Sequence, residues 1–522
     1  KHLNGVRMKL DMNPQFKEAV RLMEKTNQTL FITGKAGTGK STLLDYFCNK
    51  TKKKPVVLAT TGVGALNVKG QTIHNFFNFY IDVTVKKIRD KDTRPRDPKM
   101  YKKLKVIIID EVSMLRADLL DCVDVFLRMY GPDAKKAFGG VQMVFVGDLY
   151  QLPPVVGKEE RKIFRTLYKT PYFFSAKALE SVPLEMVELE TVYRQKDKQF
   201  VGLLNKIRNN SVEPEDVEEL NQRYLPDAEN PQEEFAINLT TTNAKADEIN
   251  ESHLNELDGE LHSSEALIRG DFGKECYPTA TNLQFKVGSQ IMLLNNDQKK
   301  RWVNGSVGII EAVVCDRDDE EYVCIRLRDR DKQVYVSPFT WEVFKFSTKK
   351  GVIVSEPAGS FTQYPFRLAW AVTIHKSQGK TFDSVVIDIG RGTFVSGQTY
   401  VALSRCTSFE GIQLRVPIKK QHIRADYRIY KFLTSYAYKK AAETLSFDDK
   451  LAMIEKAIDG KRKLEMTYLK ANDTKSKRVV MPLTVGGEVY EGYDFPGMLA
   501  YCTKRKEERM FNVERILELR EI

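Results

Sequence analysis

Short apolar runs alternate with longer amphipathic stretches along the first 190 residues. The runs are residues 29–33 (TLFIT), 55–60 (PVVLAT), 105–110 (KVIIID) and 142–148 (QMVFVGD), and residues 41–50 and 117–130 between them have helical character. Apolar strands alternating with helices predict a parallel sheet covered on both faces. Such sheets bind ligands beyond the carboxyl ends of their strands, and here each run ends in a polar or glycine-containing loop. A second set at 235–240 (FAINLT), 367–373 (RLAWAVT) and 384–389 (SVVIDI) predicts a second parallel sheet. Between about Glu251 and Tyr364 it is interrupted by an insertion with short alternating segments at 306–314, 321–327 and 333–338, which predict a small antiparallel barrel. Residues 86–103 are strongly basic and predict an exposed excursion from the first domain. After about Leu445 a separate unit begins, with a helix at 448–458 followed by short strands.

The length, 522 residues, suits about three or four domains. With 42% hydrophobic and 29% charged residues the chain reads as globular protein, not as disordered or fibrous. No apolar run reaches the roughly 18 residues of a spanning helix, and residues 1–11 are polar, with no signal-peptide core. Seven scattered cysteines with no C-x-x-C pair argue against a disulfide framework or zinc knuckle and for a reducing, cytoplasmic setting. The net charge of +12 suggests a polyanionic partner. Residues 441–522 hold 15 basic and 15 acidic side chains, so the whole excess lies in residues 1–440.

Chemistry enters at Gly34-Lys35-Ala36-Gly37-Thr38-Gly39-Lys40-Ser41, which follows a predicted strand and opens a predicted helix. Glycines let backbone N–H groups turn toward phosphates, and the helix N-terminus adds a favourable dipole. In that pattern Lys40 reaches the β- and γ-phosphates and the Ser41 hydroxyl ligates Mg²⁺, and Gly34, Ala36, Gly37, Thr38, Gly39 and Thr42 complete the expected nucleotide-binding set. The acidic pair Asp110-Glu111 ends a strand, which puts Asp110 near the metal and Glu111 where it can orient or deprotonate water. Gln151, in Gly147-Asp148-Leu149-Tyr150-Gln151, follows the fourth strand and falls beside the γ-phosphate. Arg194 and Arg405 both lie outside the first sheet, so a second domain can present them to a closing cleft.

In this order, GKAGTGKS, IIIDE, GDLYQLPPV, VYRQ, TIHKSQGKTFD and VALSRC resemble the motifs of superfamily 1 DNA helicases. The run 138–140 (FGG) before QMVFVGDLYQLPPV, and AWAVTIHKSQG, are similar to the PIF (petite integration frequency) group. The resemblance covers roughly residues 10 to 435. It implies an α/β architecture of two RecA-like parallel-sheet P-loop domains, with a small 1B excursion and an inserted β-barrel 2B domain. The implied boundaries are 1–188 for domain 1A with 1B at about 80–103, 189–250 and 365–440 for domain 2A, and 251–364 for domain 2B. The implied activity is Mg²⁺-ATP-driven 5′-to-3′ translocation on single-stranded DNA with unwinding of duplex or structured DNA. An ATPase that strips proteins without unwinding, and a nucleic-acid-sensing regulator, remain open alternatives. Gln15 resembles the family's adenine-reading glutamine, Gln151 its γ-phosphate sensor, and Gln378 and Gly379 its nucleotide-responsive loop. Thr60, Thr61 and Gly62 follow a strand, where hydroxyls and amides can meet a phosphate. His74 and Asn75 resemble DNA contacts of the first domain; Thr240, Thr242 and Asn243, with Thr373, His375, Lys376 and Ser377, resemble those of the second. Phe76 and Phe77 read as core, Asn304-Gly305-Ser306-Val307-Gly308 opens the insertion, and residues 86–103 are a candidate separation wedge. The implied partners are single-stranded DNA and its junctions with duplex, then G-quadruplexes or RNA–DNA hybrids, bound by a monomer in a bacterial cytoplasm.

The C-terminal runs at 454–460, 464–468, 478–482 and 500–516 resemble a mainly-β WYL domain over residues 446–522. Asp494-Phe495-Pro496-Gly497-Met498-Leu499 stands where that family has its Trp-Tyr-Leu triad. Tyr468, Arg478 and Arg509 could line a polar groove there for nucleic acid or another partner.

Overall fold

The apolar runs of the N-terminal region fold into six parallel strands: β1 (Thr29–Gly34), β2 (Val56–Ala59), β3 (Gln71–Thr72), β4 (Val106–Asp110), β5 (Gln142–Gly147) and β6 (Leu184–Leu189), in the order β3-β2-β4-β5-β1-β6. The structure is a computed structural model. It describes residues 12–522 apart from 69, 81, 158–159, 196, 226–234, 300, 316–320, 329–332, 350–351, 391 and 491–492. The polar N-terminal stretch read above lies outside the described residues.

Helix α1 (Pro14–Lys25) begins where Asn13 caps the Phe16 N–H, and it buries Phe16, Ala19, Leu22 and Met23 at helical spacing. They pack with Leu43, Leu44 and Phe47 of α2 (Lys40–Lys50) against Leu30, Ile32, Val106, Ile108, Val144 and Val146 of the sheet. Each of the Leu, Ile, Val, Phe and Met side chains contributes about 1.5–3 kcal/mol on leaving water, and the result is a rigid platform whose strands all end at one edge.

The basic excursion is less exposed than its charge suggested. Two short helices, Val85–Arg89 and Pro98–Tyr101, turn Ile88, Met100 and Tyr101 inward, and Tyr101 packs on Phe76, Phe77 and Phe126. The lysines and arginines face outward because these few apolar residues pin the segment.

The second parallel sheet has four strands in the order Ala371–Thr373, Ile237–Thr240, Val385–Asp388 and Ile412–Leu414. Here the sequence reading needs a correction. The run 367–373 is two strands in two sheets: Phe366–Leu368 pairs antiparallel with Gln290–Leu293 of the insertion, and Ala371–Thr373 joins Ile237–Thr240. The Gln290 side-chain amide holds the crossing by donating to Ala236 O (2.8 Å) and Ala369 O (2.9 Å), and Asn238 Nδ2 donates to Trp370 O (2.8 Å).

The inserted region holds a five-stranded antiparallel sheet in the order Gln333–Val336, Glu321–Leu327, Val307–Cys315, Gln290–Leu293 and Phe366–Leu368. Its core includes Ile291, Leu293, Trp302, Ile310, Val323, Ile325 and Phe366. A long hairpin, Phe339–Lys349 with Val352–Gln363, continues with Leu267–Gly270 as a three-stranded sheet that the sequence reading did not anticipate.

By its contacts the chain divides into two compact units, Lys1–Leu204 with Val212–Arg424, and Asn205–Ser211 with Ala425–Ile522. The second therefore takes in helix Tyr427–Thr444 as well as the mainly-β module. In that module five antiparallel strands run in the order Glu507–Asn512, Tyr493–Cys502, Lys475–Tyr490, Leu464–Leu469 and Ile516–Glu521. Helix Phe447–Asp459, capped by Ser446, buries Ile454 and Ala457 against Met466, Val480, Met498 and Phe511.

Candidate nucleotide cleft and nucleic-acid face

β1 runs into the phosphate loop and α2 leaves it, with Gly39 as the left-handed cap (φ +84°). Gly37 (φ +80°) has no substitute: a Cβ there would lie 2.5 Å from the Arg194 Cβ. That approach is fixed by the Tyr193 N–H, which donates to Gly37 O (2.9 Å). Lys40 Nζ donates to the carbonyls of Gly34 (2.8 Å) and Lys35 (3.0 Å), at the mouth of the loop. Thr38 is buried and its hydroxyl donates to Lys35 O (2.9 Å), whereas Ser41 and Thr42 are exposed on the first turn of α2. The Ala36 N–H donates to the Tyr400 hydroxyl (3.0 Å), which itself donates to Asp148 Oδ2 (3.1 Å). Gln15, at the start of α1, donates to Glu190 Oε2 (3.3 Å), beside the Asn13 bond to the Tyr193 hydroxyl (3.1 Å).

β4 ends in Asp110, whose Oδ1 accepts from the Glu111 N–H (2.9 Å). Burial, reinforced by the Glu111 charge, raises the Asp110 carboxyl well above the usual carboxylate range. Glu111 itself adopts a left-handed backbone (φ +52°). Its Oε2 accepts from Gln378 Nε2 at 3.0 Å, and the same Nε2 donates to Gln151 Oε1 at 3.0 Å. One amide from the second sheet's loop thus joins the acid after β4 to the glutamine after β5. Gly379, left-handed at φ +79°, turns the chain immediately afterwards.

The two arginines are placed differently from one another. Arg194 follows β6 of the first sheet and rests on the phosphate loop, so the expectation that the second domain presents it is corrected; its Nη1 donates to Ser404 O (3.3 Å). Arg405 does come from the second sheet's side. It is 1% exposed, with Nε on Val401 O (2.9 Å), Nη2 on Ser404 Oγ (2.9 Å) and Nη1 on Lys380 O (3.3 Å). Burial, with the Arg194 charge nearby, pushes its pKa down to about 9. Gln195 stitches the two segments by donating to Ser404 O (3.2 Å) and Cys406 O (3.0 Å).

The expected strand contacts gather at the carboxyl edges of both sheets, but several are occupied internally. Thr61 caps helix Gly62–Asn67 through the Gly64 N–H, Thr72 caps Ile73–Phe77 through the Asn75 N–H, and Thr242 caps Asn243–Glu256 through the Lys245 N–H. Thr60 Oγ1 reaches Glu111 O only at 3.5 Å. Thr240, Thr373 and Ser377 are buried at these edges, with the Thr240 hydroxyl donating to Thr242 O, the Thr373 hydroxyl accepting from the Lys376 N–H and the Ser377 hydroxyl donating to Ile374 O. These bonds fix the shape of the loops that carry them. His375 and Lys376 are exposed, His74 and Asn75 are half-buried, and Phe76 and Phe77 are core.

Tyr400, Asp148 and Gln195 were not singled out from the sequence. Gln195 follows Arg194, Asp148 lies three residues before Gln151 and Tyr400 five before Arg405, and the signal was a hydroxyl, a carboxylate and an amide inside otherwise apolar or turn-forming motif runs.

The PIF1-like helicase family profile matches residues 12–218, and the WYL domain profile matches 449–521. The chain is 30% identical over 417 residues to the ATP-dependent DNA helicase Pif1 of Bdellovibrio bacteriovorus, covering 78% of this chain and 88% of that protein. It spans 58% to 66% of the length of longer eukaryotic PIF1 helicases that it also matches. Among solved structures, Bacteroides sp Pif1 in complex with ADP-AlF4 superimposes with a TM-score of 0.74 at 34% identity, over 82% of this chain and 97% of that one. Bacteroides Pif1 bound to ssDNA gives 0.59 at 34% identity, over 83% and 98%.

Proposed function

Because this chain belongs to the PIF1-like helicase family, we propose that ATP hydrolysis between its two parallel sheets drives it 5′-to-3′ along single-stranded DNA and opens duplex or G-quadruplex DNA ahead of it. The protein is a DNA helicase and ATPase that binds single-stranded DNA and carries a C-terminal WYL domain. The observation that carries the reading is the Gln378 amide, 3.0 Å from both Glu111 Oε2 and Gln151 Oε1. It lets the second sheet feel what occupies the first sheet's catalytic edge.

The cleft suits a nucleoside triphosphate. Lys40 can exchange its two loop carbonyls for phosphate oxygens, a stronger, charge-assisted pairing. The Ser41 hydroxyl and the Asp110 carboxylate form an all-oxygen donor set of the kind Mg²⁺ takes, and the ion would neutralise charge on the phosphates. Glu111 aligns the attacking water and accepts its proton, while Gln151 holds the terminal phosphate. Arg194 and Arg405 meet the charge that develops on it, a contribution worth about 10³–10⁵ in rate where such arginines have been removed. Gln15 takes the adenine edge. Single-stranded DNA would cross the carboxyl edges, gripped at phosphates by Lys376 and loop amides; His74 and His375 offer rings for stacking, worth roughly 1–3 kcal/mol per base.

The test is strand separation of 5′-tailed against 3′-tailed duplexes with ATP, with and without a G-quadruplex in the track. Only the 5′-tailed substrates should open. Opening from 3′ tails would reverse the polarity, and DNA-stimulated hydrolysis with no strand separation would replace helicase by translocase.

A further inference from the structure

Two residues beyond Gln378, one side chain crosses from the nucleotide-reading loop into the inserted sheet. Lys380 Nζ donates to Asn304 Oδ1 at 3.0 Å and lies 3.3 Å from Met292 Sδ. Both partners belong to one stiff piece. The Gly305 N–H donates to Leu293 O (2.8 Å) and the Leu293 N–H to Ser306 O (2.8 Å), so the turn at 304–306 is tied to strand Gln290–Leu293 and runs straight into Val307–Cys315. Gly305 makes this turn in a left-handed conformation (φ +99°) with its Cα face against the Lys380 stem.

The main chain of the same lysine is held on the cleft side. Its N–H donates to Ser377 O (3.0 Å), and its carbonyl accepts from Arg405 Nη1 (3.3 Å). Lys380 therefore shares one short, hydrogen-bonded loop with the amide that touches Glu111 and Gln151. The insertion's covalent return to the second sheet is the crossing at Ala369 and Trp370. The chain also enters the insertion after helix Asn243–Glu256, and an attachment through Lys380 besides these two connections passes a displacement of the Gln378 loop on to the insertion.

Packing alone gives no reason for an ammonium here. Lys380 is desolvated beside Arg367, which together push its pKa down to about 7, and its partners are an amide oxygen and a thioether rather than a carboxylate. Methionine would fill the space without desolvating a charge. What lysine adds is a directed bond to Asn304.

We propose that Lys380 is a positioning residue that couples the ATP cleft to the inserted sheet, by linking the Gln378 loop to the Asn304 turn. The inference rests on the ATPase reading above and adds the part that turns hydrolysis into movement of the insertion.

The full chain tests it as K380M, N304A, the double variant and K380R, each assayed for DNA-stimulated ATP turnover, KM for ATP and base pairs opened per ATP on a 5′-tailed duplex. In K380M and N304A, turnover and KM should stay within about twofold, while base pairs opened per ATP fall roughly tenfold, within the range a single coupling link carries. The double variant should be no worse than either single, and K380R should recover part of the loss. Unchanged opening per ATP in K380M overturns the proposal, as do losses that multiply in the double variant or turnover that falls in step with opening. A variant that does not fold leaves the other side of the link, N304A, to decide. Wild-type protein that neither hydrolyses ATP nor opens DNA overturns the ATPase reading itself, an outcome distinct from an active protein with intact coupling.

Discussion

Glu111 holds a left-handed backbone at the end of β4, a conformation costing of order 1–3 kcal/mol for a residue with a side chain. The same turn delivers its carboxylate to the Gln378 amide at 3.0 Å, so the strain buys an aimed base. Glu111→Gln keeps the shape but cannot take a proton. ATP turnover should fall by about 10²–10⁴, the usual worth of a positioned base, with single-strand affinity retained in fluorescence anisotropy. Turnover within a few-fold of wild type would remove Glu111 from the reaction. Lys40→Ala should abolish turnover while leaving strand binding largely intact, because the Lys40 ammonium sits within the phosphate loop on the carbonyls of Gly34 and Lys35. Arg405 differs, being buried with three internal bonds. Arg405→Ala should lower kcat far more than ATP affinity, and a normal kcat would sink the role given to it. The placing of Lys40, Asp110, Glu111 and Gln151 along one edge of the first sheet was legible because strand ends and loop lengths fix their spacing along the chain, whereas that of Arg194 was not. The Tyr400 bridge between Ala36 and Asp148 was not, since it joins positions more than 250 residues apart and no local pattern marks it.

At the scale of elements, runs apolar on both faces were the most legible, and 29–33, 55–60, 105–110 and 142–148 all became strands of one sheet. The run 367–373 misled for the same reason. Continuous hydrophobicity says that a segment is buried, but not that one sheet buries all of it. The switch at Ala369 and Trp370 is written instead in two distant amides, Gln290 and Asn238. Gln290→Leu should preserve volume yet strand the carbonyls of Ala236 and Ala369, at about 1–3 kcal/mol for each buried acceptor left unmade. A melting temperature equal to wild type would show that the crossing is held by strand pairing alone. The basic excursion shows the converse limit. Its charge forecast exposure, while Ile88, Met100 and Tyr101, three apolar residues in a polar stretch, decide how it sits. In the C-terminal module Pro482 lies inside a 16-residue strand; the register shifts between Pro482 and Thr484, where a missing N–H is tolerated.

For the whole molecule, the decisive quantity is where the +12 lies. Residues 1–440 carry all of it, and residues 446–522 hold 15 basic and 14 acidic side chains. Affinity for a single strand that comes from neutralising about five phosphates should fall with salt along a log–log slope near −3.5. If the RecA-like and inserted parts supply those contacts, a chain ending at Leu445 should give the same slope and the same DNA-stimulated turnover. Ending there keeps helix Tyr427–Thr444 but removes Asp473, whose carbonyl accepts from Asn209 Nδ2 (3.2 Å) and whose carboxylate lies 3.9 Å from Arg208 Nη1. Arg208 is only 3% exposed, so the truncated chain should melt at lower temperature, and its affinity must be compared well below that point. A slope shallower by two or more would mean that the WYL domain contacts phosphates itself. With almost no net charge to draw a strand in, it would have to do so through exposed local residues such as Arg509, since Arg478 is buried against Phe511, and R509M in the full chain would then reproduce part of the change.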